Sequence, residues 1–147
     1  MITMSKKLIY LASPFFSAEH VDRIERVEEV LFNQKDYKTF SPRKEIVLVP
    51  DSSEEDRNHA FNENVRNLDN CDLVVCITDG KDIGTIWEAG YAFGKGKKIL
   101  YFCETLGGNP FNVMLAKSAY GIATSIEQLK EMFETGNLHN YYEGKIQ

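Results

Sequence analysis

Residues 82–102 read DIGTIWEAGYAFGKGKKILYF, and this stretch decides the fold. A Gly84-Thr85 turn opens a helix here, and Lys95-Gly96-Lys97 ends it before an apolar strand at residues 99–103. Another short apolar run, Leu73–Ile77, comes directly before the stretch. A chain that alternates buried strands with helices forms a parallel sheet, and open sheets of this kind bind ligands at their carboxyl edge.

The same alternation extends in both directions along the chain. We predict further strands at residues 8–12, Tyr37–Phe40 and 46–49. A helix with apolar residues at three- and four-residue steps follows the first strand, and a second helix opens at residues 51–57 with Phe61, Val65 and Leu68 facing inward. Two more helices are predicted, a short one near residues 112–117 and a last one capped by Ser125 or Thr124. We therefore predict an α/β fold, a flavodoxin-like or Rossmann-like three-layer sandwich with a parallel sheet of about five strands, in a single domain over residues 1–147.

Composition excludes several classes of function. Seventeen basic and twenty-two acidic residues give a net charge of −5 without a basic block, so a nucleic-acid or anionic-membrane surface is not expected. The apolar runs are too short to cross a bilayer, and the N-terminal one is too short for the core of a signal peptide. Cys71, Cys76 and Cys103 lack metal-ligand spacing, so we interpret them as buried free thiols of a cytoplasmic protein, with a redox role as the lesser alternative.

No cofactor or metal site is evident in the sequence. The glycine patterns that bind dinucleotides and nucleoside triphosphates are absent, GxGxxG and GxxxxGK[ST]. The three histidines, His20, His59 and His139, are scattered and form no ligand set. We therefore expect a protein that works without a cofactor or a metal ion.

Glu88 is the central candidate for chemistry. Its neighbours Ile86, Trp87 and Ala89 are apolar, which suits a carboxylate used as a nucleophile or as an acid or base. An exposed acid that complements the helix dipole is an equally good interpretation on spacing alone. Glu88 taken alone therefore leaves the choice open.

The other candidates also have ordinary structural explanations. Asp82 is typical of a turn or an N-cap, and Asn112, at a loop-to-helix transition, is typical of a cap. Tyr10 lies in the first strand, where a buried hydroxyl needs only one partner. Phe15 and Phe16 follow Pro14 as either core residues or an aromatic wall beside a planar ligand.

Taken together, the segments resemble the nucleoside 2-deoxyribosyltransferase family. The D-x-G-T-x-W-E-x-G-Y-A core within residues 82–97 is the specific part of the resemblance. The supporting segments are LIYLASPFFS, FSPRKEI, NVRNLDNCDLVVCITDG, NPFNVM and the tail YYEGKIQ, in the expected order over nearly the whole chain. The resemblance implies transfer of a 2-deoxyribosyl group between purine or pyrimidine bases through a covalent intermediate, with retention of configuration.

The resemblance also implies roles for individual residues. Glu88 would be the nucleophile that attacks C1′ of the sugar, and Tyr10 would hydrogen-bond and orient it. Asp82 would face the base and sugar and help to supply a proton to the leaving base. Phe15 would stack on the base, and Phe16 would help to keep water out. Gly84 belongs to the substrate-binding set, as do Asn112 at the 5′-hydroxyl, Met114 beside it, and Gln147, whose terminal carboxylate would close the pocket.

Two positions leave alternatives open. Some relatives place a second acid where this chain has Asn64, which can hydrogen-bond a base edge but cannot donate a catalytic proton. Arg43 either contacts the base or pairs with a surface acid, and the sequence favours neither. The base preference and the identity of the acid are therefore open.

Three functions remain as hypotheses. The first is the transferase, an obligate homo-oligomer with active sites shared between subunits, either a hexamer or a minimal dimer as in relatives, acting on 2′-deoxynucleosides and free nucleobases. The second is a nucleoside or nucleoside 5′-monophosphate N-glycosidase, in which water replaces the acceptor base. The third is a non-catalytic nucleotide sensor, which would have no need of a nucleophile.

Overall fold

The sheet has five parallel strands. The computed structural model describes residues 5–147. Residues 1–4 lie outside the described part, and the N-terminal segment that we predict is too short for a signal-peptide core begins there. The strands are β1 (Lys7–Ala12), β2 (Tyr37–Phe40), β3 (Leu73–Ile77), β4 (Lys98–Phe102) and β5 (Gly121–Ala123). They pair in the order β2-β1-β3-β4-β5, with every neighbouring pair parallel. The predicted α/β sandwich with five parallel strands is therefore confirmed.

Helices cover the two faces of the sheet. They are α1 (Ala18–Phe32), α2 (Pro42–Glu45), α3 (Glu54–Asn70), α4 (Ile83–Gly94), α5 (Val113–Ser118) and α6 (Ile126–Thr135). The helices α1 and α6 pack on one face, where Val27 and Leu129 join a core with strand residues such as Val75. The opposite core, beneath α3 and α4, contains Tyr10 and Ala89. The central strands are buried almost along their whole length, as expected for a parallel sheet covered on both faces.

One predicted strand was wrong and one real strand was missed. Residues 46–49 form no strand, because Pro42 begins the short helix α2 and the segment then runs over the surface with Val47 79% exposed. The fifth strand is Gly121–Ala123 instead, which pairs with β4 at the edge of the sheet. The number of strands was right, but one of the predicted segments was not.

The inward face of α3 also differs from the prediction. Leu68 is fully buried as expected, but Phe61 is 55% exposed and lies against Trp87 with ring centroids 5.8 Å apart. Ala60 and Asn67 are buried in its place. The helix is therefore rotated so that small and polar side chains face the sheet and an aromatic one faces outward.

The strand order reverses between β1 and β3, which is where a sheet of this type is expected to form a ligand cleft. The chain moves outward from β1 to β2 and then returns to β3 on the other side of β1. The connections from β1 and β3 therefore leave in opposite directions at the carboxyl edge, which is where sheets of this type bind ligands. Within residues 5–147, no helix is both long and apolar enough to traverse a lipid bilayer.

Candidate active site

Glu88 lies on the flank of α4 that contacts β1. Thr85, Ala89 and Ala92 bury the face of the helix that packs on the sheet, and Glu88 projects next to that face. Its carboxylate is partly buried and accepts a hydrogen bond from the hydroxyl of Tyr10 at Oε2. Glu88 is therefore not the exposed first-turn acid of the simpler interpretation.

Burial changes the acidity of Glu88. Desolvation of the carboxylate raises the pKa of Glu88 to about 8, well above the ordinary value for a glutamate. A strongly perturbed carboxyl group beside a ligand cleft is typical of a functional site. With this pKa the carboxylate is the minor form at neutral pH, so a reaction that uses it as a reactant should become faster as the pH rises toward 8.

Tyr10 is held rigidly in the centre of the sheet. It is fully buried in β1, between Phe40 on β2 and Val74 on β3 in the strand register. Its ring lies 5.6 Å from that of Phe40. Because the ring cannot move freely, its hydroxyl fixes the position of the Glu88 carboxylate.

Asp82 is the N-cap of α4, which confirms the ordinary interpretation of this residue. Its Oδ2 accepts hydrogen bonds from Thr85 N at 3.0 Å and from Thr85 Oγ1 at 2.9 Å. A Cβ at Gly84 would lie 3.4 Å from the same oxygen, so the glycine leaves room beside the carboxylate. The cap uses only Oδ2 of Asp82, and the part of this residue in chemistry stays a prediction.

The aromatic pair follows β1 at the same edge. Phe15 and Phe16 are 37% and 72% exposed, with ring centroids 4.9 Å apart. They are therefore not core residues, and their rings are free to meet a planar ligand. This leaves the aromatic-wall interpretation in place.

The structure gives Arg43 a role in the fold. Its guanidinium binds Glu28, a buried residue of α1, through Nε at 3.1 Å and also through its second nitrogen. Ser41 Oγ donates to the same carboxylate at 2.7 Å. Arg43 therefore pairs with acids, as one of the two alternatives expected: Glu25, 3.9 Å away, is exposed, whereas the closer partner Glu28 is buried and ties α1 to the loop after β2. Contact with a base stays a prediction.

Asn64 has an unused acceptor. It lies on α3, one turn after the buried Ala60, and its Oδ1 is buried without a hydrogen-bond partner among residues 5–147. A buried amide oxygen without a partner costs free energy unless water or a ligand donates to it. This observation agrees with a residue that hydrogen-bonds a ligand.

Asn112, Met114 and Gln147 gather in a separate cavity of about 630 Å³. Ile86 lines this cavity, whereas Glu88 lies two positions further along α4, about 200° around the helix, on the other flank. Three backbone hydrogen bonds hold the tail here; two of them join Val113 N to Gln147 O at 2.7 Å and Gln147 N to Phe111 O at 2.9 Å. Within one chain, the site residues predicted from the sequence therefore form two groups. Asn112, Met114 and Gln147 line the cavity, and Glu88 lies on the opposite flank of α4.

The prediction missed Lys81 as a lining residue of that cavity. Lys81 has φ +52°, in the left-handed region that a lysine adopts only under constraint, and it follows Gly80 at φ +84°. A hydrogen bond from Lys81 N to Thr78 O at 3.0 Å closes the turn. The sequence T-D-G-K-D at residues 78–82, directly after β3, could have indicated this turn. Among residues 5–147, no group of three or more His, Cys, Asp or Glu side chains could hold a metal ion.

Comparison with known proteins agrees with this fold. A solved structure of a 2-deoxyribosyltransferase from Bacillus psychrosaccharolyticus is 28% identical, with a TM-score of 0.77 over 92% of this chain and 99% of that one. Two others share the fold: a 2-deoxyribosyltransferase from Leishmania mexicana (21% identity, TM-score 0.59, 87% and 97% coverage) and the CMP N-glycosidase BcmB from Clostridium botulinum (16%, 0.60, 88% and 99%). No curated protein matches the chain.

The sequence profile described as nucleoside 2-deoxyribosyltransferase matches residues 9–129, which is most of the chain and includes Tyr10, Asp82 and Glu88. The chain belongs to the nucleoside 2-deoxyribosyltransferase family, a family of enzymes.

Proposed function

We propose that the protein transfers a 2-deoxyribosyl group from one nucleobase to another through an ester on Glu88. The observation that carries this proposal is the hydrogen bond from Tyr10 to a partly buried carboxylate whose pKa is raised to about 8. A carboxylate with few water contacts is a better nucleophile than a solvated one. Its position at the carboxyl edge agrees with a ligand in the cleft above β1 and β3.

The reaction proceeds by two displacements at C1′. In the first, an oxygen of Glu88 forms a bond to C1′ while the glycosidic C–N bond breaks, and the base leaves with a proton. In the second, a nitrogen of the incoming base attacks C1′ and gives its N–H proton back to the acid that protonated the first base, while the ester bond breaks and the carboxylate is restored. Two inversions give net retention. Carboxylate is the reactive form of Glu88, so the rate rises as pH increases toward the pKa of this group.

The proton for the leaving base comes from the polar groups at the same edge. Asp82 has one carboxylate oxygen that the helix cap does not use, and it is the acid available in this chain. Asn64 has the free Oδ1 to accept from an exocyclic amine but no proton of its own to give. Phe15 stacks on the base and Phe16 shields the ester from water.

The active sites are shared between copies of the chain. Asn112, Met114 and Gln147 line a cavity on the flank of α4 away from Glu88, and Met114 is 75% exposed. A second copy that brings this group to the Glu88 cleft would complete the 5′ end of the site. Exposed apolar side chains on and beside α4, including Ile83, Trp87 and Phe61, support burial against such a copy. A dimer is the minimal unit and a hexamer the full assembly, in a cytoplasmic enzyme of nucleoside salvage.

A hydrolase is the second candidate. Lys81 lines the same cavity as Asn112 and offers a cation to a 5′-phosphate, a feature that favours a nucleoside 5′-monophosphate N-glycosidase. In that reaction water takes the place of the second base at C1′. Asn112, which lines the same cavity, instead favours the uncharged 5′-hydroxyl of a nucleoside.

The proposal is tested by incubation with deoxyinosine and free adenine, followed by chromatography. Deoxyadenosine together with hypoxanthine supports transfer. Hypoxanthine and free deoxyribose without exchange supports hydrolysis, and no reaction argues for a sensor. Glu88→Ala abolishes turnover, whereas the matched control Glu134→Gln, an exposed acid on α6, leaves it unchanged.

A further inference from the structure

His20 connects two loops at the carboxyl edge that the chemistry above does not explain. It lies in the first turn of α1 and its Nδ1 accepts a hydrogen bond from the backbone N–H of Phe16 at 3.2 Å. The rings of Phe16 and His20 meet edge to face, with centroids 6.4 Å apart and an interplanar angle of 76°. One imidazole therefore holds both the backbone and the side chain of Phe16.

The other ring nitrogen faces the loop after β3. A Cβ at Gly80 would lie only 3.1 Å from His20 Nε2, so the imidazole packs directly on this glycine. Because Nδ1 accepts, the neutral ring carries its proton on Nε2. The imidazole thus separates the aromatic loop from the loop that leads to Asp82.

The loop on the Gly80 side is itself immobilised. Asp79 is buried, and its Oδ2 accepts hydrogen bonds from Thr105 N at 2.8 Å and from Thr105 Oγ1 at 2.7 Å. Arg23, one turn after His20 on α1, lies 3.7 Å from the other oxygen of Asp79. His20 therefore rests against a fixed support, and the Phe15–Phe16 segment is the part that it can position.

A purely structural explanation would be a helix cap. Ser17 is already the N-cap, since its hydroxyl accepts from His20 N at 3.2 Å. In a capping box the side chain at the third helical position binds the N–H of the N-cap residue. Here the bond goes to Phe16, one residue earlier, so it orders the loop before the helix and not the first turn of the helix.

We propose that His20 is a positioning residue that holds the Phe15–Phe16 pair in the orientation that stacks on the nucleobase. This inference rests on the proposed function, because it assigns the aromatic pair to the base. His20 touches no reacting atom, and its effect is on base binding. Both the hydrogen-bond acceptor Nδ1 and the shape of the imidazole ring contribute to the positioning of the Phe15–Phe16 pair.

Two variants separate these contributions. His20→Asn keeps an acceptor close to the position of Nδ1, whereas His20→Leu has a similar size and no acceptor. Exchange of the Phe16 amide hydrogen, measured by NMR, reports the bond directly and needs no enzymatic activity. KM for the free base and kcat in base exchange report the consequence for the reaction.

We expect His20→Leu to speed exchange of the Phe16 amide about tenfold and to raise KM for the base about fivefold, with kcat changed less than about twofold. His20→Asn restores both quantities to within about twofold of the wild-type values. Unchanged amide exchange in His20→Leu would refute the positioning role, as would an equal rise of KM in both variants. If the wild-type enzyme shows no base-exchange activity, the proposed function is refuted instead. The amide hydrogen measurement would then still decide whether His20 holds the loop.

Discussion

Tyr10→Phe is the substitution that tests the Tyr10–Glu88 pair most sharply. It removes one oxygen from a fully buried side chain and leaves the ring that packs on Phe40 in place. The Glu88 carboxylate then loses the hydroxyl that donates to Oε2, in a site where burial already raises the pKa of Glu88 to about 8. Loss of a donor to the charged form disfavours that form, so the pKa of Glu88 rises further.

The size of the effect follows from the kind of bond. A hydrogen bond to a charged group contributes about 1.5–3 kcal/mol, and about 1.4 kcal/mol corresponds to one pH unit. The pH at which Glu88 ionises should therefore move up by about 1 to 2 units. At pH 7 the ionised fraction falls from about a tenth to about a hundredth or less, and kcat/KM falls about 10- to 100-fold with it.

The assay is base exchange measured from about pH 6 to pH 10, with kcat/KM plotted for each enzyme. Tyr101→Phe is the matched control, because Tyr101 is a buried strand tyrosine whose hydroxyl lies 3.0 Å from Ser118 Oγ and does not contact Glu88. The acid limb of the profile should move for Tyr10→Phe and stay in place for Tyr101→Phe. A uniform loss of rate at every pH, or an acid limb that does not move, would refute the reasoning.

Four further outcomes are expected. Glu88→Gln should stabilise the fold increasingly between pH 4.5 and pH 8, because an acid whose pKa is raised on folding contributes stability below about pH 4.5 and loses it as the pH rises to about 8. Thermal unfolding should show a gain on the order of 10 °C at pH 8 and little at pH 4, and the same melting temperature as wild type at both pH values would contradict it. Arg43→Gln leaves the buried Glu28 without its cation and should cost about 3 kcal/mol in urea unfolding, whereas an unchanged midpoint would argue that the pair is dispensable. Asp82→Asn keeps the acceptor for Thr85, so the melting temperature should not change, but most of the activity should be lost. Asp82→Ala should lose the activity and also about 1 kcal/mol of stability, and an active Asp82→Asn enzyme would show that Asp82 is not the proton donor. Adenosine should react about tenfold or more slowly than deoxyadenosine, because a 2′-hydroxyl would crowd Glu88 or draw it out of line, and equal rates would remove this explanation.

The parts of the fold that sequence could predict are those with a local signal. The runs at residues 8–12 and Leu73–Ile77 are compact and apolar, so these strands were found within a residue or two of their ends. Gly121–Ala123 was missed because three residues, two of them small, give no such run. Residues 46–49 have the composition of a strand, but no neighbouring strand pairs with them, and pairing is not visible in composition.

In the candidate site, too, features set by adjacent residues could be predicted, whereas contacts between residues far apart in the chain could not. The turn that opens α4 and the N-cap Asp82 could be predicted from adjacent residues. The contact of Glu88 with Tyr10 joins positions 78 residues apart, so the local sequence left a catalytic and an exposed Glu88 equally supported until the family resemblance was considered. The bond between Arg43 and Glu28 also depends on packing of α1 against the loop after β2.

Mass spectrometry of peptides from the acid-quenched protein is the most direct test of a covalent role for Glu88. The enzyme would be mixed with deoxyinosine without an acceptor base, quenched in acid and digested. The account predicts an added mass of one 2-deoxyribosyl group on the peptide that contains Glu88, absent from Glu88→Gln. Turnover of deoxyinosine with no adduct at any time point, or an adduct on a different residue, would contradict it.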